Sequence, residues 1–121
     1  MVRSQPAGSV LFVGDIQGCL NPLQKLLRAA RFQPDKHQLI PVGDTINRGP
    51  HNVGVLELLK SLGAEPILGN HEMGIIEALK SPKPTKWLDK QTVSRDLLRH
   101  RKSDRYLDWI RGWPMWVWGR G

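Results

Sequence analysis

One arrangement recurs three times in this chain and restricts its fold more than any other feature. A short apolar run ends in glycine followed by Asp or Asn, and a helical pattern comes next. The first run is Val10-Leu11-Phe12-Val13, ending at Gly14-Asp15. The second is Leu39-Ile40-Pro41-Val42, ending at Gly43-Asp44. The third is Pro66-Ile67-Leu68, ending at Gly69-Asn70. Short apolar runs without alternation suit strands buried on both faces. Strand alternating with helix predicts right-handed βαβ units and a largely parallel sheet, hence an α/β fold. Pro41 is a local conflict, because proline leaves one backbone position unpaired and favours an edge.

The segments between these runs carry helical signals. Asn21-Pro22 reads as a helix start, with Asn as cap and Pro at the first helical position. Leu23, Leu26, Leu27 and Ala30 then share one face. Val53, Leu56, Leu59 and Leu62 repeat the pattern, and Gly63 stops that helix. Glu72 to Lys80 forms a third, with Ile75, Ile76 and Leu79 apolar. From Ser81 the texture changes. Ser81 to Thr85 reads as a loop, and two short helices follow near Thr92 to Arg101 and Ser103 to Arg111. Trp109, Trp113, Trp116 and Trp118 crowd the last segment, and Trp116-Val117-Trp118 has the composition of a strand.

With 121 residues the chain can build one small core and not two. No long uncharged apolar run is present, so no transmembrane helix and no membrane partner are expected. The first residues lack an apolar signal segment. The single Cys19 excludes an internal disulfide and fits a reducing compartment, so the cytoplasm is the expected location. A net charge of +7 attracts anions. The densest basic stretch, Arg95 to Arg105, lacks the interleaved aromatics that stack bases. Charge alone therefore supports a nucleic-acid partner only weakly.

In an open parallel sheet, ligands bind beyond the carboxyl ends of the strands. Asp15, Asp44 and Asn70 all follow such ends and would converge there. Two carboxylates and an amide oxygen make a hard, oxygen-rich site for a divalent cation. His71 adds an imidazole as ligand or general acid. Each Gly-Asp or Gly-Asn pair alone is more often a turn; three in order, each at a strand end, point to a site.

Gly14-Asp15-Ile16-Gln17-Gly18, Gly43-Asp44-Thr45-Ile46-Asn47-Arg48-Gly49 and Gly69-Asn70-His71-Glu72 resemble the three signature blocks of calcineurin-like metallophosphoesterases. Within that family the chain is most similar to the symmetrical diadenosine tetraphosphatases and related phosphoprotein phosphatases. The similarity runs from about Ser9 to Trp113 and includes Tyr106 to Arg111. The resemblance implies a role for each matched residue. Asp15 and Gln17 would face a first metal, Asp44 would bridge two metals, and Asn70 would bind the second. Arg48 would hold a phosphate oxygen by a forked contact, and Asn70 would also face the phosphate. His71 would protonate the leaving oxygen. The implied cofactors are two divalent ions, drawn from Mn, Fe, Co or Zn, and the implied reaction is in-line attack on phosphorus. The implied substrate is a dinucleoside polyphosphate or another phosphoester, foremost diadenosine tetraphosphate cleaved to two ADP.

The chain departs from the wider family in places. Gln17 replaces a histidine, and an amide oxygen is a weaker donor. Asn47 stands where phosphoprotein phosphatases have an aspartate that orients the catalytic histidine. Glu72 replaces the aspartate usual in tetraphosphatases and matches the phosphoprotein phosphatases. The family also supplies two metal-binding histidines from a second sheet, in His-Ala-Gly and Gly-His blocks. No match to either block occurs here. His37, His51 and His100 read as solvated or structural. The expectation is therefore one truncated domain over 1–121, the first half of a metallophosphoesterase α/β sandwich with an incomplete second metal site. Residues 9–80 would form its βαβαβα metal-site core, and 81–121 a helical, Trp-rich segment. An uncovered sheet face would promote self-association unless the Trp-rich tail folds over it. Competing readings are a serine/threonine-type phosphatase, a half-domain that binds metal or nucleotide without turnover, and a basic RNA-binding protein.

Overall fold

A computed structural model describes residues 8–80 and 95–115 of the chain. Strand β1 (Val10–Val13) pairs in parallel with β2 (Gln38–Pro41), Val10 opposite Gln38 and Val13 opposite Pro41. Helix α1 (Leu20–Ala29) connects them. Helices α2 (Asn52–Ser61) and α3 (Asn70–Lys80) follow, then α4 (Arg95–Arg99) and α5 (Ser103–Arg111). This is the expected mixed α/β arrangement with parallel pairing. The loop expected at Ser81–Thr85, and the strand expected at Trp116–Trp118, lie outside the described residues.

The third run is shorter than the pattern implied. It joins the sheet only by a parallel bridge between Val42 and Ile67. The amides of Glu65 and Ile67 donate to the carbonyls of Leu39 and Pro41, at 2.9 and 2.8 Å. Pro41 explains the shortness. It lies in the middle position, between β1 and the third run, and not on an edge. Its carbonyl faces the third run, and its nitrogen has no hydrogen to offer on that same side. The ladder is interrupted where that donor is missing.

Burial on both faces is also corrected for β1. Val13 is buried against the helices, whereas Val10 and Phe12 on the opposite face are exposed, Phe12 at 59%. Val42 on β2's extension is exposed as well. In β2 both Leu39 and Ile40 are buried.

Helix boundaries follow from local chemistry. Helix α1 begins one residue before Asn21, with Cys19 as a cap that makes no side-chain bond. Pro22 thus falls at the third helical position, tolerated because first-turn N–H groups have no intrahelical partner. Helix α2 ends as Gly63 implied. Gly63 has φ +66°, its amide bonds the Lys60 carbonyl, and the Ala64 amide bonds the Leu59 carbonyl. That pair of bonds is a Schellman stop. Helix α2 is also the hinge of the core. Its Val55 and Leu59 pack with Val13, Leu23, Leu27 and Leu39 beneath the sheet. Its Leu56 packs on the other side with Ile75, Leu97, Leu107 and Ile110 from α3, α4 and α5. Trp113 joins this second cluster and meets Trp109 edge to face, ring centres 5.2 Å apart. Among the described residues no helix is long and apolar enough to cross a membrane.

Candidate active site

The three Gly-Asp or Gly-Asn turns do converge. The amides of Gln17 and Gly18 donate to the carbonyls of Asp44 and Thr45, both at 2.9 Å, tying the first turn to the second. The Gly49 amide donates back to the Gln17 carbonyl at 2.7 Å. The third turn is joined through side chains. Asp44 Oδ1 accepts the His71 amide at 3.0 Å. Asp44 therefore caps α3 from 27 residues away, where a carboxylate is favoured by the helix dipole.

Glu72 fastens the same junction from beneath. One carboxylate oxygen accepts the amides of Asp44 and Gly69, each at 2.9 Å, and the other faces the Ile46 amide at 3.3 Å. The bond to Gly69 is the return half of a capping box at the start of α3. Glu72 is fully buried. Burial raises its pKa above the ordinary carboxylate value, as does the Asp44 charge, against the lowering effect of its three amide bonds. It braces the junction between the second and third turns.

Two glycines make the approach possible. A Cβ on Gly69 would stand 2.7 Å from Asp44 Oδ1 and from the Gly43 Cα. A Cβ on Gly49 would stand 2.6 Å from the Gly18 carbonyl carbon. The backbone here is strained. Asp15, Gln17, Asp44, Asn47 and Arg48 all have positive φ, from 50° to 91°, and Arg31 is the only other described non-glycine residue that does. Left-handed conformations at such residues cost on the order of 1 kcal/mol each and gather at functional sites.

The expected site residues take distinct positions. Asp44 and His71 are half-buried and in contact through the bond above. Gln17 is half-buried and held by its backbone. Asp15, Arg48 and Asn70 are exposed. His71 Nδ1 lies 3.3 Å from the Ile46 carbonyl. A carbonyl only accepts, so Nδ1 carries hydrogen and Nε2 is the nitrogen left for proton exchange. Asn47 does not orient that ring. Its Oδ1 is buried without a hydrogen-bond partner, and its amide donates to Asn52 Oδ1 at 2.6 Å.

Asp15, Gln17, Asp44 and Asn70 offer hard oxygen donors, and that set fits a divalent cation. Among the described residues no group of three or more His, Cys, Asp or Glu is arranged to hold a metal, so the set leans on amide oxygens. His37, His51 and His100 lie elsewhere. His37 is buried and accepts the Gln33 amide, His51 is exposed at the α2 start, and His100 accepts the Lys102 amide.

Sequence reasoning missed Asn52 and Asp96. Asn52 Nδ2 donates to the Gly49 carbonyl at 3.0 Å and to Asp96 Oδ1 at 2.9 Å, while Asp96 Oδ2 accepts the Val53 amide at 2.9 Å. Forty-three residues separate Val53 from Asp96, so no local pattern could reveal the pair. The Glu72 brace did have a signal, the capping-box spacing from Gly69.

Fold and site together define a class: an α/β protein that gathers oxygen donors, an imidazole and a guanidinium at the carboxyl ends of parallel strands. Comparison narrows the class. The profile of the calcineurin-like phosphoesterases matches residues 8–121, and the chain belongs to that family. Its members are generally dinuclear metal-dependent. A symmetrical bis(5'-nucleosyl)-tetraphosphatase from Shewanella sp. (strain W3-18-1) is 39% identical over 109 residues, covering 86% of this chain and 38% of the relative. One from Actinobacillus succinogenes is 38% identical over 111 residues, covering 90% of this chain and 39% of the relative. A crystal structure described as that of a candidate diadenosine tetraphosphatase superposes with a TM-score of 0.60 at 33% identity, covering 86% of this chain and 47% of that one. The chain thus spans well under half the length of the curated relatives it matches.

Proposed function

We propose that this chain carries one side of a phosphohydrolase site and that its substrate is a dinucleoside tetraphosphate, cleaved symmetrically to two nucleoside diphosphates. The observation that carries the reading is the junction at Asp44, where all three signature turns are bonded together with the backbone strained. Relatives named as symmetrical tetraphosphatases support the substrate. In this reading Asp15, Gln17, Asp44 and Asn70 hold divalent cations. When bound, such ions neutralise charge on the phosphate and make water a better nucleophile. Arg48 is exposed on a strained turn beside Gln17, and among the described residues it has no carboxylate partner. Its guanidinium is thereby available for two phosphate oxygens. His71 donates a proton from Nε2 to the leaving oxygen, oriented by the Ile46 carbonyl on its other nitrogen.

The test sets chromatography of products from diadenosine tetraphosphate with Mn²⁺ beside phosphate release from a phosphoserine peptide. ADP as the product supports the reading. Phosphate released from the peptide alone replaces the substrate with a phosphoprotein. Calorimetric binding without any product makes the chain a binding module.

A further inference from the structure

Besides the Gly49 amide, which bonds the Gln17 carbonyl, the Arg48 turn is held by one buried side-chain amide. Asn52 is 1% exposed. Its Oδ1 accepts the Asn47 amide at 2.6 Å, and its Nδ2 donates to the Gly49 carbonyl at 3.0 Å. The two bonds flank Arg48, whose φ of 62° is unfavourable for a long side chain. The amide could satisfy neither bond if it were flipped, since a donor would then face the Asn47 N–H. A further contact, from another element, reinforces that orientation and ties the amide to α4. Asp96 on α4 presents a carboxylate, which only accepts, to Asn52 Nδ2 at 2.9 Å. The donor end must therefore face α4 and the oxygen must face Asn47. Packing adds to the constraint: a Cβ at Gly18 would stand 2.9 Å from the Asn52 Cγ, so the first signature turn closes over this amide.

We infer that Asn52 and Asp96 are positioning residues for Arg48, so that α4 sets the geometry of the phosphate-binding turn. This inference rests on the reading of Arg48 given above. The plainer role is that Asp96 is only a long-range cap on α2, whose own cap residue, His51, makes no side-chain bond. The two roles separate in Asp96→Asn. An asparagine oxygen still accepts the Val53 amide and keeps the cap. Its nitrogen faces Asn52 Nδ2, donor against donor, so the tie from α4 to the Asn52 amide is lost and that amide is pushed from its place.

Calorimetric titration of the full chain with inorganic pyrophosphate and Mn²⁺ tests this in the unaltered protein, Asp96→Asn, Asn52→Ala, Arg48→Ala and the Arg48→Ala double variants. Misplacing a positioned group by a fraction of an ångström costs on the order of tenfold or more. Asp96→Asn and Asn52→Ala are each expected to weaken binding about tenfold, and to cause no further loss once Arg48 is alanine. A purely structural cap would not produce that dependence on Arg48. Losses under about twofold in both variants, or losses that persist in full in the Arg48→Ala background, overturn the inference alone. An unaltered chain that binds no pyrophosphate, or an Arg48→Ala variant that binds as tightly, overturns the reading of Arg48 and this inference with it.

Discussion

The turns at the strand ends and the helical layer of α4 and α5 are stabilised in opposite ways. At the turns Ile16 and Ile46 are buried, but carboxylates supply the fastening between turns: Asp44 caps α3 and Glu72 collects three amides. The backbone there is strained, with five positive φ angles outside glycine. In the helical layer, Leu97, Ile110, Leu107 and Trp113 are buried on one another and on α2, and no described non-glycine residue has positive φ. The difference teaches how the labour is divided. Apolar burial supplies stability at little conformational cost. The turns spend some of it to hold acids, a guanidinium and an imidazole on strained backbone at the strand ends.

That contrast can be broken from either side. The largest stability loss is expected for Ile110→Ala, about 3 to 4 kcal/mol from lost transfer and a cavity, measured by urea unfolding, with pyrophosphate affinity retained at low temperature. Gly69→Ala should destabilise somewhat less, about 2 to 3 kcal/mol, because its Cβ overlaps Asp44 and Gly43. Unlike the core change it should remove phosphate binding altogether, which calorimetry would show. Arg48→Ala reverses the pattern: the melting temperature stays put while pyrophosphate affinity falls at least tenfold.

The smallest effect concerns Tyr106, which donates to Glu57 across α2 and α5. Burial first, then the Glu57 bond and charge, push its pKa from 10.0 up to about 12. The folded chain thus keeps a proton that the unfolded chain releases. This contribution is complete below pH 10 and is lost as pH rises from about 10 to 12. Tyr106→Phe should flatten the stability–pH curve over that interval, and an unchanged slope would refute the assignment.

Much of this was legible in the sequence where the signal is local. The three apolar runs, the Gly63 stop and the two last helices follow from periodicity and turn chemistry. The turns that carry Asp15, Asp44 and Asn70 could be placed together because strand ends converge. What escaped was non-local or competitive. Pro41 sits in the middle of the pairing and truncates the third run, because its effect depends on which neighbour its nitrogen faces. Phe12 is exposed although its run reads as fully buried, since sequence does not say what covers a sheet's second face. The resemblance marked Asn47 as a departure, standing in place of a histidine-orienting aspartate, but could not say that the Ile46 carbonyl meets His71 Nδ1 instead. Asn52 and Asp96 have no pattern that links them.

The claim at the centre of this account is that Asp44 joins the three turns into a phosphohydrolase site. Its most direct test is ADP formation from diadenosine tetraphosphate and Mn²⁺ by the unaltered chain and by Asp44→Asn. The asparagine oxygen can still accept the His71 amide, so the fold and its circular dichroism should persist. ADP should form, and the substitution should lower its rate at least about a hundredfold. A correctly folded Asp44→Asn variant that still makes ADP at the unaltered rate, or an unaltered chain that makes none, would contradict it.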